Sequence, residues 1–300
     1  MSTRIRTRHS VVDWTAPGLA VVVAVDGSEQ NRAAIGYAVA EATRSGRPLR
    51  LLAVIDDYAF PVPRHGTGGD DELQWQVLNG IHARLHEQHP ELDLARDVRV
   101  GPAATTLLEH SEDQAELVVG KRGLGTFGRL LIGSTSIAVA GRSRVPVVVV
   151  PDSWQEDRAA DTPVVVGVRA EDPEPAVLRF ALAQARARRA PLLVVHAIHI
   201  DPILVWDPSL SGPAYRMRAE RGAGQVEAAL APLREEFPDV TVGAVESEGH
   251  PADVLLDRAA AAQLLVLGRQ HEGRAGFTLG SVARAVLHHS EIPVAVVPSP

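Results

Sequence analysis

The feature that most constrains this chain is that its sequence runs through one series of apolar segments twice. The apolar run Leu19–Val25 (LAVVVAV) returns as Pro163–Val168 (PVVVGV). A second run, Pro48–Ile55 (PLRLLAVI), returns 143 residues later as Pro191–Ile198 (PLLVVHAI). Since a domain typically takes about 150 residues, a repeat of this length in a chain of 300 residues predicts two copies of one domain.

The later segments repeat in the same order. The matching pairs are Leu117–Gly120 with Leu265–Gly268, Gly133-Ser134 with Gly280-Ser281, and Pro146–Pro151 with Pro293–Pro298. Between the halves lies the polar stretch Asp152–Thr162, which is flanked by prolines and is typical of a linker. We therefore expect an N-terminal tail over residues 1–17, a first domain over 18–151, a linker over 152–162 and a second domain over 163–300.

Within the first half, apolar segments alternate with segments of helical spacing. We predict strands over 19–25, 48–55, 96–100, 116–119 and 146–150, and helices over 36–44, 72–89, 102–112 and 134–141. Strands that are apolar throughout are buried on both faces, which is typical of parallel sheets covered by helices. The sequence therefore predicts an α/β fold of two tandem domains, each with a doubly wound, five-stranded parallel sheet.

The last strand of each half has a proline at both ends, which is typical of an edge strand. An exposed edge offers unpaired backbone groups to a partner strand, and the other half carries the same edge. We therefore predict that the two last strands pair, so that the halves pack as a pseudo-dimer. We also expect that whole chains can associate further as homodimers.

Composition excludes several classes of protein. The net charge of −7 gives no reason to bind nucleic acid or anionic membranes. The chain has no cysteine, which rules out disulfides and thiolate metal sites and fits a cytoplasmic location. The first residues carry Arg4, Arg6 and Arg8 without the apolar run that a signal peptide needs, and no segment reaches the roughly 20 apolar residues that span a bilayer. We expect no membrane partner.

Two loops carry the chemistry that the sequence suggests. Asp26-Gly27-Ser28 follows the first strand, and Gly120–Ser134 (GKRGLGTFGRLLIGS) follows the fourth. The second loop is rich in glycines, which let backbone amides approach an anion, and Ser134 is expected to cap the next helix. Between Gly120 and Pro151 there is no acidic residue, but there are five cations: Lys121, Arg122, Arg129, Arg142 and Arg144. This loop is predicted to hold phosphate.

Two standard nucleotide motifs do not explain this loop. The Walker A pattern is absent from the chain. Residues Gly123–Gly128 fit GxGxxG, but they follow the fourth strand, and no acidic residue lies about 20 positions further on, as a dinucleotide site requires. We interpret that match as chance. The sequence DGSEQN after the first strand also departs from the SGGxDS-type loop that ligases with this kind of fold carry.

The order and spacing of three motifs resemble the universal stress protein family, over residues 19–298. They are VVAVDGS at the first strand, the GxxGx9G[ST] pattern from Gly120 to Ser134, and the terminal PVVVVP. The resemblance implies a Rossmann-like, adenine nucleotide α-hydrolase-like sheet of order 3-2-1-4-5. It also implies an adenine nucleotide between Asp26 and Gly120: ATP, AMP or cyclic AMP, with any Mg²⁺ carried by the phosphates rather than by a metal site of the protein.

The resemblance also assigns roles to individual residues. Asp26, in the turn with Gly27 and Ser28, would contact the nucleoside, while Val54 or Ile55 and Val100 would line the adenine pocket. The ribose and phosphates would be held by Gly120, Gly123, Gly133, Ser134 and Thr135. Lys121 and Arg122 are candidates for neutralising phosphate charge. A turn with a helix cap is the alternative interpretation of Asp26-Gly27-Ser28.

The second half departs from this pattern. Arg169 takes the place of Asp26, His271 takes that of Gly123, and Glu272 adds an acidic residue, although Gly280-Ser281 survives. We therefore predict one nucleotide per chain, in the first half, with the second half serving as a structural partner or binding another ligand.

The predicted function is an ATP- or adenine-nucleotide-binding stress regulator without catalytic residues and with weak ATP hydrolysis at most. The alternative is a nucleotide-free scaffold that acts through a protein partner.

Overall fold

The computed structural model describes residues 19–56, 69–123, 131–156, 162–198, 208–269 and 279–298. In the first half, the elements are β1 Val21–Val25, α1 Asn31–Ser45, β2 Leu49–Ile55, α2 Gly69–Gln88, β3 Leu94–Val100, α3 Ala103–Ser111, β4 Glu116–Gly120, α4 Ser134–Arg142 and β5 Val147–Val150. In the second half, they are β6 Val164–Val168, α5 Pro175–Arg188, β7 Leu192–Ile198, α6 Pro208–Glu236, β8 Val242–Glu248, α7 Pro251–Ala259, β9 Leu264–Gly268, α8 Ser281–His289 and β10 Val294–Val297. The predicted N-terminal tail lies outside the described residues.

All ten strands form one sheet, in the order β3-β2-β1-β4-β5-β10-β9-β6-β7-β8. Within each half the neighbouring strands are parallel and follow the order 3-2-1-4-5. At the centre of the sheet β5 and β10 pair antiparallel, with Val148 opposite Ala295. The predicted fold class and the predicted pairing of the two last strands are both confirmed.

Two apolar layers cover the faces of this sheet, and each layer runs through both halves. Val23 of β1 and Val166 of β6 belong to one layer, whereas the adjacent Val22 and Val165 belong to the other. Successive side chains of a strand point to opposite faces, so each valine-rich strand supplies both layers. This double burial explains why the strands read as continuous apolar runs.

Helix α1 begins at Asn31, five residues before the predicted position of 36. The Ser28 hydroxyl accepts a hydrogen bond from the Asn31 amide at 3.2 Å, which starts the helix on polar residues. The helix opens on the polar pair Asn31-Arg32, so the apolar pattern did not mark its start, although Ala34 and Ile35 already face the core. The helix ends at Gly46, which has a φ of +65°, and the matching helix α5 ends at Arg189 with a φ of +53°.

A buried ion pair joins α1 to α5 across the pseudo-dimer. Arg188 donates to Glu41 Oε2 at 2.7 Å and to the Tyr37 hydroxyl at 2.8 Å, and the Gln184 amide donates to Glu41 Oε1 at 3.2 Å. Burial opposes the charge of Glu41, but Arg188, with help from Arg44, outweighs it and lowers the pKa of that carboxyl. The two halves therefore share polar contacts as well as a core.

The described part of the linker is packed rather than loose. The Trp154 ring stands edge-on to Tyr37 of α1, with 5.4 Å between the ring centroids. Of the helices described, none combines the length and apolar character that a membrane crossing requires.

Candidate functional site

The two predicted loops meet at the carboxyl ends of β1 and β4. These strands pair directly, and β2 lies on the other side of β1. The order of strands along the chain reverses at this point, which in open α/β sheets is where a crevice for ligands forms. Asp26 follows β1, and Gly120 is the last residue of β4.

The Asp26 turn is held by local hydrogen bonds. Asp26 Oδ1 accepts from the Ser28 amide at 2.9 Å, and the Ser28 hydroxyl accepts from Asn31 as described above. Gly27 has a φ of +79°, a conformation that side chains disfavour, and a Cβ there would lie 3.2 Å from Val77 Cγ1. Gly27 and Ser28 thus serve the turn and the helix start, as the alternative interpretation holds, and they orient Asp26.

Gly123 lies directly against Asp26. A Cβ added at Gly123 would overlap Asp26 Oδ2, and one added at Gly120 would come within 2.9 Å of the Arg122 carbonyl oxygen. Only a residue without a side chain allows the backbone of this loop to approach the carboxylate so closely. The structure therefore brings together Asp26, Gly120 and Gly123, three of the predicted site residues.

The loop is fastened at both ends. The Gly133 amide donates to the Lys121 carbonyl at 2.8 Å, and the Ser136 hydroxyl donates to the Gly120 carbonyl at 2.7 Å. These bonds bring the start of α4 next to the end of β4. Residues 124–130 between them, including Arg129, lie outside the described residues.

The prediction that Ser134 caps α4 is wrong. Gly133 occupies the cap position, without a side-chain cap, and Ser134 is the first residue of the helix. A side chain at that position is one residue too late to reach back to the free amides. Ser134 is exposed and Thr135 half-buried, so both remain beside the N-terminal amides of α4.

Lys121 and Arg122 each contact another group of the protein. Lys121 Nζ donates to the Ser290 carbonyl in the second half at 2.9 Å. Burial, and then the charge of Arg122, lowers the pKa of Lys121. Arg122 pairs with Asp152 of the linker at 2.6 Å. In the structure Lys121 therefore joins the halves and Arg122 holds the linker, while their role in neutralising phosphate charge stays a prediction.

The contact of Lys121 is matched by a second one in the opposite direction. Arg269, the residue that follows β9, donates to the Ser143 carbonyl in the first half. Ser143 and Ser290 end helices α4 and α8, where carbonyls without an intrahelical hydrogen bond attract cations. In each half, the cation that follows the fourth strand thus binds the end of the last helix of the other half.

The predicted adenine-lining residues lie at the same edge of the sheet as Asp26. Ile55 and Val100 are paired at the ends of β2 and β3, and the Ile55 carbonyl accepts from the Gly101 amide at 3.0 Å. Val54 and Ile55 are half-buried, whereas Val100 is 60% exposed. An apolar side chain this exposed at the crevice suits a wall for a flat ring.

Asn31 is a site residue that the sequence analysis missed. Its side chain is buried, its Nδ2 donates to the Ala24 carbonyl at 2.9 Å, and this nitrogen lies 3.8 Å from the position of a Cβ on Gly120. Asn31 Oδ1 has no hydrogen-bond partner among the described residues. An asparagine in the first turn of a helix is common, so only the tertiary structure singles it out.

A comparison with models of protein families identifies the family of this chain. The model of the universal stress protein family matches residues 20–151 and, again, 162–298. The chain belongs to this family. A universal stress protein of Mycolicibacterium smegmatis is 33% identical over 290 residues, which cover 92% of this chain and 96% of that protein. One of Mycobacterium tuberculosis is 32% identical over 288 residues, with the same coverage of 92% and 96%.

A solved structure shares the fold of this universal stress protein over both halves. The crystal structure of a universal stress protein from Archaeoglobus fulgidus matches with a TM-score of 0.65 and 19% identity, covering 94% of this chain and 97% of that one. The tandem arrangement is therefore known from experiment for another protein.

The second half of this universal stress protein differs at the matching position. Arg169, in place of Asp26, pairs with Asp172 at 3.3 Å. His271 and Glu272, the other two predicted departures, lie outside the described residues. Glu174 stands 143 positions after Asn31, and its carboxylate lies 3.2 Å from the position of a Cβ on Gly268.

Proposed function

We propose that this universal stress protein binds one adenine nucleotide in its first half and acts as a regulator rather than as an enzyme. The contact of Gly123 with Asp26 carries the proposal. It joins a carboxylate, which accepts hydrogen bonds from ribose hydroxyls, to a glycine loop, which offers backbone amides to phosphate. ATP, AMP and cyclic AMP all contain a ribose hydroxyl and a phosphate.

The surroundings supply the other contacts that a nucleotide needs. Val54, Ile55 and Val100 offer an apolar wall for the base at the same edge of the sheet. The N-terminus of α4, with Ser134 and Thr135, favours negative charge through its amides and the helix dipole. Mg²⁺ would then be coordinated by the phosphates of ATP.

Calorimetric titration of nucleotide-stripped protein with ATP and Mg²⁺ tests the proposal. We expect one site per chain and at least a tenfold loss of affinity in Gly123→Asp, since the new side chain would overlap Asp26 and repel phosphate. Gly80→Asp is the matched control, because nothing lies within 4 Å of a Cβ at this position on α2, and it should bind as the wild type does.

The other outcomes are equally informative. Two sites per chain would mean that the second half also takes the nucleotide. Absence of binding by ATP, AMP and cyclic AMP would sink the proposal and leave the scaffold function. Steady release of phosphate from bound ATP, lost in Gly123→Asp, would contradict the non-catalytic part alone.

A further inference from the structure

The second half contains a preformed cavity of 210 Å³ at its own switch point. Its walls come from the carboxyl ends of β6, β7 and β9, from the starts of α5 and α7, and from the first turn of α8. This is the position that Asp26 and Gly120 mark in the first half. The volume exceeds the roughly 150 Å³ of an apolar cavity that accommodates benzene, so one or two aromatic rings fit.

The inner wall of this cavity is apolar. Val177, Val195, Leu255 and Leu267 line it and are buried. An ion seated against these side chains would lose its hydration without gaining a partner, which costs several kcal/mol in a protein interior. The inner wall therefore selects an uncharged group.

The charges at the rim of the cavity disfavour phosphate. Among the described residues, the lining includes three carboxylates, those of Glu171, Asp172 and Glu174, and one guanidinium, that of Arg169. Arg169 already pairs with Asp172, so its charge is largely compensated. The described lining therefore offers a triphosphate one cation, which is already paired, whereas a neutral molecule needs no cation.

The comparison of the halves supports the same conclusion. The first half has the neutral amide of Asn31 next to the last residue of β4, whereas the second half has the carboxylate of Glu174 next to the last residue of β9. Glu174, which also interacts with Arg269, presents acceptor oxygens at this position, and these cannot donate a hydrogen bond to an anion. The crevices of the two halves therefore differ in the polar groups that they present.

We propose that this cavity is a binding site for an uncharged molecule with one or two aromatic rings, and that it rejects nucleotide phosphates. The second half of the chain is then a ligand-binding domain in its own right. This proposal does not depend on nucleotide binding by the first half.

Adenosine and ATP are the sharpest pair of probes, because they share the base and the ribose and differ only in the phosphates. In Gly123→Asp protein, we expect calorimetry to show saturable 1:1 binding of adenosine and at least tenfold weaker binding of ATP. Adding Ala197→Phe, which puts a ring into the cavity from β7, should abolish adenosine binding. Gly224→Phe on α6, where nothing lies within 4 Å of a Cβ, is the control and should leave it unchanged.

Replacing two of the carboxylates by neutral amides tests what causes the preference for adenosine over ATP. Asp172→Asn with Glu174→Asn, in the same Gly123→Asp background, should reduce the ratio of adenosine to ATP affinity at least threefold. If Gly123→Asp protein with both carboxylates intact bound ATP as tightly as adenosine, or more tightly, the proposal would be overturned. A lack of saturable adenosine binding, or adenosine binding that survives Ala197→Phe, would overturn it as well. Because the probe of the first-half site is ATP with intact Gly123, failure here leaves that result untouched.

Discussion

Glu116 is a buried carboxyl group at the start of β4, next to the ion pair of Glu41 and Arg188. Burial raises the pKa of Glu116 from an ordinary 4.5 to about 8, and the negative charge of Glu41 adds to the rise, although Arg188 opposes it. Glu116 Oε1 has no hydrogen-bond partner in the part of the chain that the structure describes. The folded protein therefore keeps Glu116 protonated near neutral pH, which spares the core a second negative charge.

This shift makes stability depend on pH. Between pH 4.5 and about 8 the folded state holds a proton on Glu116 that the unfolded state has released, so stability from this group falls as pH rises through that range. We expect Glu116→Gln to remove the dependence, so that its advantage in melting temperature over the wild type grows from pH 5 to pH 8. Thermal unfolding at both pH values measures this, and a constant difference would contradict it.

The ends of helices α1 and α5 show the same turn made with two different residues. Gly46 adopts its left-handed conformation without strain, whereas Arg189 carries a side chain at a φ of +53°. The hydrogen bonds are the same, since Arg47 and Ala190 each donate to the carbonyl five residues earlier, at 2.9 Å and 3.0 Å. The strain at Arg189 therefore comes from its side chain and not from the geometry of the turn.

We expect Arg189→Gly to stabilise the protein by roughly 0.5–1 kcal/mol, because relief of the left-handed strain exceeds the added flexibility of the unfolded chain. Gly46→Arg, where the space around a Cβ is open, should lose a similar amount. Urea unfolding of both variants measures the two changes. Destabilisation by Arg189→Gly would show that the arginine side chain makes a contact worth more than the strain.

The described strands form one continuous sheet with one apolar layer on each face, so the halves cannot separate without exposing both layers. The polar contacts across the centre follow the same two-fold relation. Lys121 and Arg269 reach the ends of α8 and α4, and α1 meets α5 through Glu41 and Arg188. We expect the two halves to unfold in a single transition.

The pair of Glu41 and Arg188 provides the test at this scale. Glu41→Gln leaves the Arg188 guanidinium buried without its carboxylate, and such a loss typically costs about 3–5 kcal/mol. The control is Glu236→Gln, which breaks the partly exposed pair with Arg179 and should cost about 1 kcal/mol or less. Urea unfolding at pH 7 compares them, and equal effects would show that the buried pair adds nothing special.

Local sequence determined the strands, the repeat and the most informative loop residues of this protein. Apolar runs and helical spacing encode burial directly, so the strands were found to within a few residues, and the proline-flanked last strands pointed to the pairing of β5 with β10. Asp26 and Gly123 could be named because the order and spacing of their motifs resemble the universal stress protein family, since an aspartate or a glycine in a loop is by itself an ordinary turn residue. The strand order came from the family resemblance rather than from periodicity.

Only the tertiary structure decided which groups meet across the chain. Lys121 reaches Ser290, 169 residues away, and Asn31 is buried beside Gly120; neither sequence position differs from that of an ordinary surface residue. The same is true of Ser134, whose place in the helix depends on where the loop returns, and of the cavity in the second half. Sequence patterns report the burial and conformation of a segment, but contacts and cavities depend on how distant segments are placed, which no local pattern encodes.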